Sequence, residues 1–196
     1  PEFVEALPAD ATVECDAIPA AETLTALDAC DANATVVLTE ATVNGTCTGT
    51  YTITRTWMAS DCAGNEATHV QTIEVQDTAS PVVSEAAADA MVECDGAGNS
   101  SDLSTWLDSN GGATATDACS GVTWTNDFVA LDAACGATGS ATVMFTATDD
   151  CGNATSTTAT FTIEDTTAPD VMAAADATVE CDGAGNSSDL STWLDS

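Results

Sequence analysis

Twenty-two residues recur almost to the letter: "ADAMVECDGAGNSSDLSTWLDS" at 88–109 and "ADATVECDGAGNSSDLSTWLDS" at 175–196 differ only at Met91 and Thr178. A diverged copy, "ADATVECDAIPAAETLTALDAC", stands at 9–30, with Cys15 79 residues before Cys94 and Cys94 87 residues before Cys181. A long fixed period identifies an array of like modules, each supported by its neighbours. A catalytic domain gains nothing from a near-identical second fragment of itself, whereas a stalk or fibre lengthens by duplication. The expected organisation is one repeat over 1–78, a second over 79–167, and the N-terminal part of a third over 168–196. The chain reads as a window from a longer tandem array.

Each full repeat is small for an independent domain, a size at which covalent staples supplement a thin core. The first carries Cys15, Cys30, Cys47 and Cys62, the second Cys94, Cys119, Cys135 and Cys151, and Cys181 stands alone in the third. Four per repeat predicts two disulfides per repeat and an oxidising compartment. Four cysteines permit three pairings; the reading leans to first-with-third and second-with-fourth, the other two staying open. Zinc ligation is the competing use, but no CxxC pair occurs and His69 is the only histidine.

Charge narrows the partners. Thirty-two Asp and Glu oppose a single basic residue, Arg55, for a formal net charge of −31. Nothing here can neutralise phosphates, so nucleic acid is excluded as a direct partner, and an anionic membrane surface is equally unsuited. Self-repulsion on this scale destabilises a compact chain unless cations bind or salt screens it. No signal peptide or membrane-spanning run is present in the sequence, and an internal segment would need neither.

Threonine- and valine-rich runs bounded by Gly, Asn and Asp ("ATVVLTEATV", "YTITRTW", "ATHVQTIEVQD", "SATVMFTATD", "ATSTTATFTIED") predict short strands throughout. In "YTITRTW", Tyr51, Ile53 and Trp57 alternate with Thr52, Thr54 and Thr56, one face inward and one wet. About seven strands in under ninety residues predicts an all-β fold of tandem immunoglobulin-like sandwiches. The exception is "SSDLSTWLDS", where Leu103, Trp106 and Leu107 share one helical face. Ser101 is the expected cap, Asp102 suits the positive dipole end, and the turn is expected to plug one end of the sandwich. "VQDTASPVV" (75–83) and "IEDTTAPDV" (163–171) are short glycine-free linkers that should hold adjacent repeats in a stiff line.

These linkers, with "TDACSG", "ATDDCGNAT" and "SDCAGNEAT", resemble the hyaline-repeat (HYR-like) immunoglobulin-type modules, and in their cysteine content the repeats of large SprB-like surface adhesins of Bacteroidetes. Cys62 precedes Ala63-Gly64-Asn65 whereas Cys151 directly precedes Gly152-Asn153, a displacement of one residue. The resemblance implies an extracellular, non-enzymatic spacer or adhesive repeat, often stabilised by calcium.

Calcium takes six to eight oxygens from carboxylates, amide carbonyls and water. Candidate ligands recur at equivalent positions: Asp61, Asn65 and Asp77 in the first repeat and Asp149, Asn153 and Asp165 in the second, with Asp28 and Asp117 before the second cysteines and Asp170 beyond the second linker. "DGAGNSSD" is not an EF-hand loop, and the competing reading is that these residues only form turns. Thr78 and Thr166, in "DTA" and "DTT", fit the Asp-Thr-small pattern of bacterial O-glycosylation. Asn33, Asn44, Asn99, Asn153 and Asn186 open N-x-S/T sequons that a bacterial protein leaves unused. Trp57, Trp106 and Trp124 read as core rather than a sugar platform. His69 lacks a second histidine or nucleophilic partner, and Arg55 is expected to pair with carboxylates, so no catalysis is expected.

The expected function is a structural, adhesive segment of a long secreted cell-surface protein, a calcium-stiffened stalk. Its partners are neighbouring repeats, with an extracellular surface or glycan as ligand. The alternatives are a filament subunit paired with other copies of itself and a carbohydrate-binding or spacer appendage of a secreted enzyme.

Overall fold

The strands Tyr51–Ser60, Glu66–Gln76, Gly139–Asp149 and Ala154–Glu164 bury alternate residues, one face inward and one wet, whereas the edge strand Thr35–Asn44 is exposed along most of its length. The computed structural model describes residues 1–195. In the first repeat β1 (Glu2–Phe3), β2 (Ala11–Glu14), β3 (Ala26–Leu27), β4 (Thr35–Asn44), β5 (Tyr51–Ser60) and β6 (Glu66–Gln76) form a β1-β3 ribbon and a β2-β6-β5-β4 sheet. The second repeat supplies β7 (Val82–Glu85), β8 (Ala90–Glu93), α1 (Ser100–Asp108), β9 (Thr114–Thr116), β10 (Val122–Asn126), β11 (Asp132–Ala133), β12 (Gly139–Asp149) and β13 (Ala154–Glu164). It repeats the plan, a β7-β9 ribbon and a β10-β12-β13-β8 sheet with β11 added on β12. All pairs are antiparallel except β2 with β6 and β8 with β13, which run parallel. This is the all-β, immunoglobulin-like class expected from the sequence. Residues Pro1–Asp165 form one compact unit, and the chain from Thr166, which contains α2 (Ser187–Leu194), forms another.

Parity places the cores. Along β5, Ile53, Arg55, Trp57 and Ala59 are buried, and along β6 Gln71, Ile73 and Val75. Arg55 therefore points inward, where its Nε donates to Glu40 at 2.9 Å and its NH2 nitrogen to the Pro19 carbonyl at 2.9 Å. In the second repeat Val143, Phe145, Ala159, Phe161 and Ile163 pack with Trp106 of α1. The Trp106 ring meets Phe145 edge-on at 5.2 Å and donates its Nε1 proton to the Ala88 carbonyl. The β5–β6 and β12–β13 turns align Asp61 with Asp149, so Trp57 holds the strand position of Phe145. The first repeat has the larger ring there and no helix; the second has the smaller ring and a helix that brings a tryptophan.

α1 plugs its sandwich as expected, but its cap is not Ser101. The helix starts after Asn99, which takes a left-handed conformation (φ 48°) and makes no side-chain bond to the first turn's amides. Asn99 instead donates its side-chain nitrogen to the Glu93 carbonyl and to Asp102, while Asp95 accepts the Ala97 and Asn99 N–H groups. A glycine-flanked Asp-Gly-Ala-Gly-Asn loop supplies the positive-φ positions this entry needs.

The expected disulfide pairing is overturned. Cys15 joins Cys119 and Cys47 joins Cys151, each bridge spanning 104 residues. Both run from the first repeat to the second, and none closes within a repeat. The first and third cysteines of a repeat lie at the end its chain leaves from, the second and fourth at the end it enters by. The first and third cysteines thus share an end without bonding each other: Cys15 meets Cys119 at a Cα–Cα distance of 5.7 Å and Cys47 meets Cys151 at 5.2 Å, across the junction. Cys30, Cys62, Cys94 and Cys135 are thiols, as is Cys181.

Candidate functional site

The junction between the two repeats gathers four of the expected ligands (Asp77, Asp117, Asp149 and Asn153) and four of the cysteines. From the first repeat come Cys15 after β2, the β4–β5 turn with Cys47, and Asp77 one residue beyond β6. From the second come the turn before β10, with Asp117 and Cys119, and the β12–β13 turn, with Asp149, Cys151 and Asn153.

Strand parity aims two carboxylates at this junction. Asp77 continues the inward series Ile73, Val75, and Asp149 the series Phe145, Ala147; they are 6% and 5% exposed. Their surroundings differ. Asp149 accepts from the backbone N–H of Cys151 (2.9 Å) and Asn153 (2.8 Å) and from the Asn153 side-chain nitrogen (2.7 Å). Burial opposes its charge, but these donors outweigh burial and hold its pKa below the ordinary carboxylate value. Neither carboxylate oxygen of Asp77 has a hydrogen-bond partner. Burial first, then the charges of Asp117, Asp149 and Glu14, push its pKa up, and the nearby Ser120 hydroxyl offsets only part of this. A buried carboxylate without donors costs about 1–3 kcal/mol or more, so Asp77 is the one group here that lacks a counterpart.

The donor set defines what that counterpart would be. Ligand atoms of Asp77, Asp117 and Cys119 lie within 4.8 Å of one another. The Cys119 sulfur is committed to Cys15, so it offers no thiolate and the set is one of carboxylate oxygens. Asp117 keeps its own turn by accepting the Cys119 and Ser120 N–H groups on Oδ1. With the sulfur committed, two carboxylates remain, an all-oxygen pair of the kind a hard divalent cation takes. Asn153 belongs to the same junction, since its side-chain nitrogen donates to the Asp77 carbonyl at 3.1 Å.

The other expected ligands are elsewhere. Asp28 and Asp61 repeat the turns of Asp117 and Asp149 at the entry end of the first repeat: Asp28 accepts from Cys30 and Asp31, Asp61 from Ala63 and Asn65. Asp61 also takes the Asn65 side-chain nitrogen, and the Asp28 charge acts on it. The one-residue displacement of Cys62 relative to Cys151 is real in space. Cys62 is the second residue of the Asp61–Asn65 turn and Cys151 the third of the Asp149–Asn153 turn. Asp165, the equivalent of Asp77, is exposed.

Several junction residues carry no composition signal. Glu14 accepts both the Thr78 N–H and, at 2.6 Å, its hydroxyl, locking the linker start to β2. That hydroxyl is the expected O-glycan site; Thr166 is exposed. Gly49, at φ 89°, lies so close to Cys119 that a Cβ would come 2.9 Å from its Cβ and its carbonyl oxygen. The Cys47–Thr50 turn could have flagged it, because type II geometry requires a glycine there.

Other motifs are absorbed by structure. Trp57 and Trp106 are buried and Trp124 packs against the second core; Trp193, at 41%, is the tryptophan with an exposed ring among the described residues. His69 lies tilted against the Trp57 ring, centroids 5.8 Å apart, and bonds the Pro8 carbonyl at 2.8 Å. Asn99, Asn153 and Asn186 use their side-chain amides in turn hydrogen bonds. No described helix is long and apolar enough to cross a membrane.

Residues 3–75 match the family model described as an HYR-like domain with 4 cysteines, so the first repeat carries the pattern of an HYR-like module. No curated protein matches the chain. Among solved structures it is similar to Drosophila N-cadherin EC1-4 at 12% identity, over 84% of this chain and 50% of that one, with a TM-score of 0.35. It is similar to protocadherin gamma B2 extracellular domains 1-5 at 14% identity, over 80% and 38%, with a TM-score of 0.31. Tandem Ig repeats of Dlar match at 8% identity over 83% and 97%, with a TM-score of 0.24. The chain spans half or less of the cadherin fragments, and at these scores the likeness carries no argument about binding or assembly.

Proposed function

We propose that this chain is a structural, adhesive segment of a long, secreted cell-surface protein, non-enzymatic, built of repeats over 1–78 and 79–167 and the start of a third from 168. The two bridges that cross from one repeat to the other carry the reading. A single tether leaves two modules free to swing, whereas two covalent ties on different turns fix the angle between them. Each bridge closes a loop of 104 residues; on the chain-entropy account the first of these is worth about 4–5 kcal/mol. Acidic surfaces keep neighbouring stalks apart, and an SprB-like adhesin stalk is the use that fits.

Calcium is the proposed cofactor, held by Asp77, Asp117 and Asp149 with carbonyl oxygens of the junction. It supplies the charge that Asp77 lacks and stiffens the joint further. The candidates Asp28, Asp61, Asn65 and Asp165 form the matching halves of the same site at the two outer ends. Small-angle X-ray scattering of the oxidised chain in calcium tests the stalk. The expected result is one fixed arrangement of the two repeats that loosens on reduction; an equally broad ensemble before and after reduction would remove stiffness from the account.

A further inference from the structure

The four thiols of residues 1–165 fall into two pairs, each a copy of one half of the joint already closed between the repeats. At the exit end of the first repeat, the Cys15 N–H donates to the Gln76 carbonyl, and Thr50 closes the Cys47 turn by donating both its N–H and its hydroxyl to the Cys47 carbonyl. At the exit end of the second, the Cys94 N–H donates to the Glu164 carbonyl, and Thr138 closes the Cys135 turn through the same two bonds. Cys15 and Cys94 pack in the same way against the cores of their own repeats.

The entry ends match too. Asp117 accepts the Cys119 and Ser120 N–H groups, and the Asp150 N–H reaches back to the Ser120 hydroxyl, tying the Cys119 and Cys151 turns together. Asp28 accepts the Cys30 and Asp31 N–H groups, and the Cys62 N–H reaches back to Asp31 at 2.8 Å. The carboxylates follow the cysteines. Asp77 is buried where a second repeat covers it, and its equivalent Asp165 is exposed.

We propose that the exit end of the second repeat and the entry end of the first are the two halves of one covalent joint, whose occupant is a further repeat of this kind. Cys94 takes the place of Cys15 and joins a Cys30-type cysteine; Cys135 takes the place of Cys47 and joins a Cys62-type cysteine. The contact is head-to-tail and heterologous, so it propagates into a linear chain instead of closing into a dimer. This inference rests on the repeat reading and not on calcium. Each bridge forms by two thiol–disulfide exchanges: two cysteine thiols give up two electrons and two protons to one small-molecule disulfide, which leaves as two thiols.

The test supplies the further repeat as a second copy of the full chain, carrying Cys181→Ser so that the third-repeat equivalent of Cys94 cannot compete. Copies are incubated in a glutathione/glutathione disulfide buffer, resolved without reductant and cut with a Glu/Asp-specific protease, trypsin being of no use with one arginine and no lysine. The expected result is a ladder of multimers whose linked peptides pair Cys94 with Cys30 and Cys135 with Cys62. A copy carrying Cys30→Ser and Cys62→Ser, and another carrying Cys94→Ser and Cys135→Ser, should each stay monomeric alone and give only a dimer when mixed. Both keep the bridges of the internal joint, so loss of the ladder is not loss of the fold. Ladders from either blocked copy alone, Cys30–Cys62 or Cys94–Cys135 bridges, or four thiols left free overturn the proposal. The scattering result does not bear on any of these outcomes, so this inference and the stalk reading fail separately.

Discussion

The effect of replacing Asp77 by Asn should depend on calcium. The substitution keeps shape and volume but removes a negative charge that is 6% exposed, has no donor, and faces Asp117, Asp149 and Glu14. In EDTA, relief of that charge should raise stability by about 1–3 kcal/mol. For a chain of this size that is roughly 2–12 °C in melting temperature. In calcium at about a hundred times Kd, the wild type gains roughly 2.7 kcal/mol from binding and the variant should lose most of this, so the variant's advantage shrinks and, wherever the penalty in EDTA is below that gain, the order of the two proteins reverses. The pH dependence has a defined direction. The raised native pKa means the folded state binds the proton more tightly than the unfolded one. The Asp77 penalty is therefore full above the native pKa and absent below the ordinary value of 3.8. In EDTA, the gap between variant and wild type should close as pH falls through that window. Differential scanning calorimetry of oxidised protein at fixed ionic strength reads all of this. A variant destabilised equally in EDTA and calcium would mean that Asp77 already has a partner, and would sink the reasoning.

Gly49→Ala should spoil the joint without touching either core, because the added Cβ meets Cys119 backbone and Gly49 sits at positive φ. The expected loss is about 1–3 kcal/mol, with slower formation of Cys15–Cys119 during oxidative refolding followed by mass spectrometry. Trp106→Ala removes the ring that α1 packs on Phe145 and Phe161, and chemical denaturation should show a loss of about 3–5 kcal/mol.

Parity and repetition made much of this legible in the sequence. The alternation in β5 identified its buried face, and the same alternation put Arg55 inward, a consequence of period two that composition alone hides. The phased copies matched Asp61, Asn65 and Asp77 to Asp149, Asn153 and Asp165, and Asp28 to Asp117; of these, Asp77, Asp117, Asp149 and Asn153 come from different copies and lie at one junction. What sequence could not supply is the offset between partners. Cys15, Cys47 and Asp77 act with residues of the next repeat, and a pattern that repeats identically in every unit does not say whether a bond closes within a unit or across to its neighbour. Ser101 does not cap α1, for a local reason. The Asp95–Asn99 loop satisfies its own amides and delivers the chain to α1 through a left-handed asparagine, so a serine one turn position later has nothing to cap.

Pulling the full oxidised chain by its two ends in a single-molecule force experiment tests the crossed joint most directly. The bridges interleave, so the shortest covalent path crosses one of them and then either residues 15–47 or residues 119–151. The unravelled length is then that of roughly 90 residues, or roughly 320 Å at about 3.5 Å each, against roughly 680 Å for the reduced chain. Bridges closed within each repeat, first-with-third and second-with-fourth, would release roughly 430 Å by the same measure. A limit near 320 Å is the result predicted here, and a limit near 430 Å would contradict it.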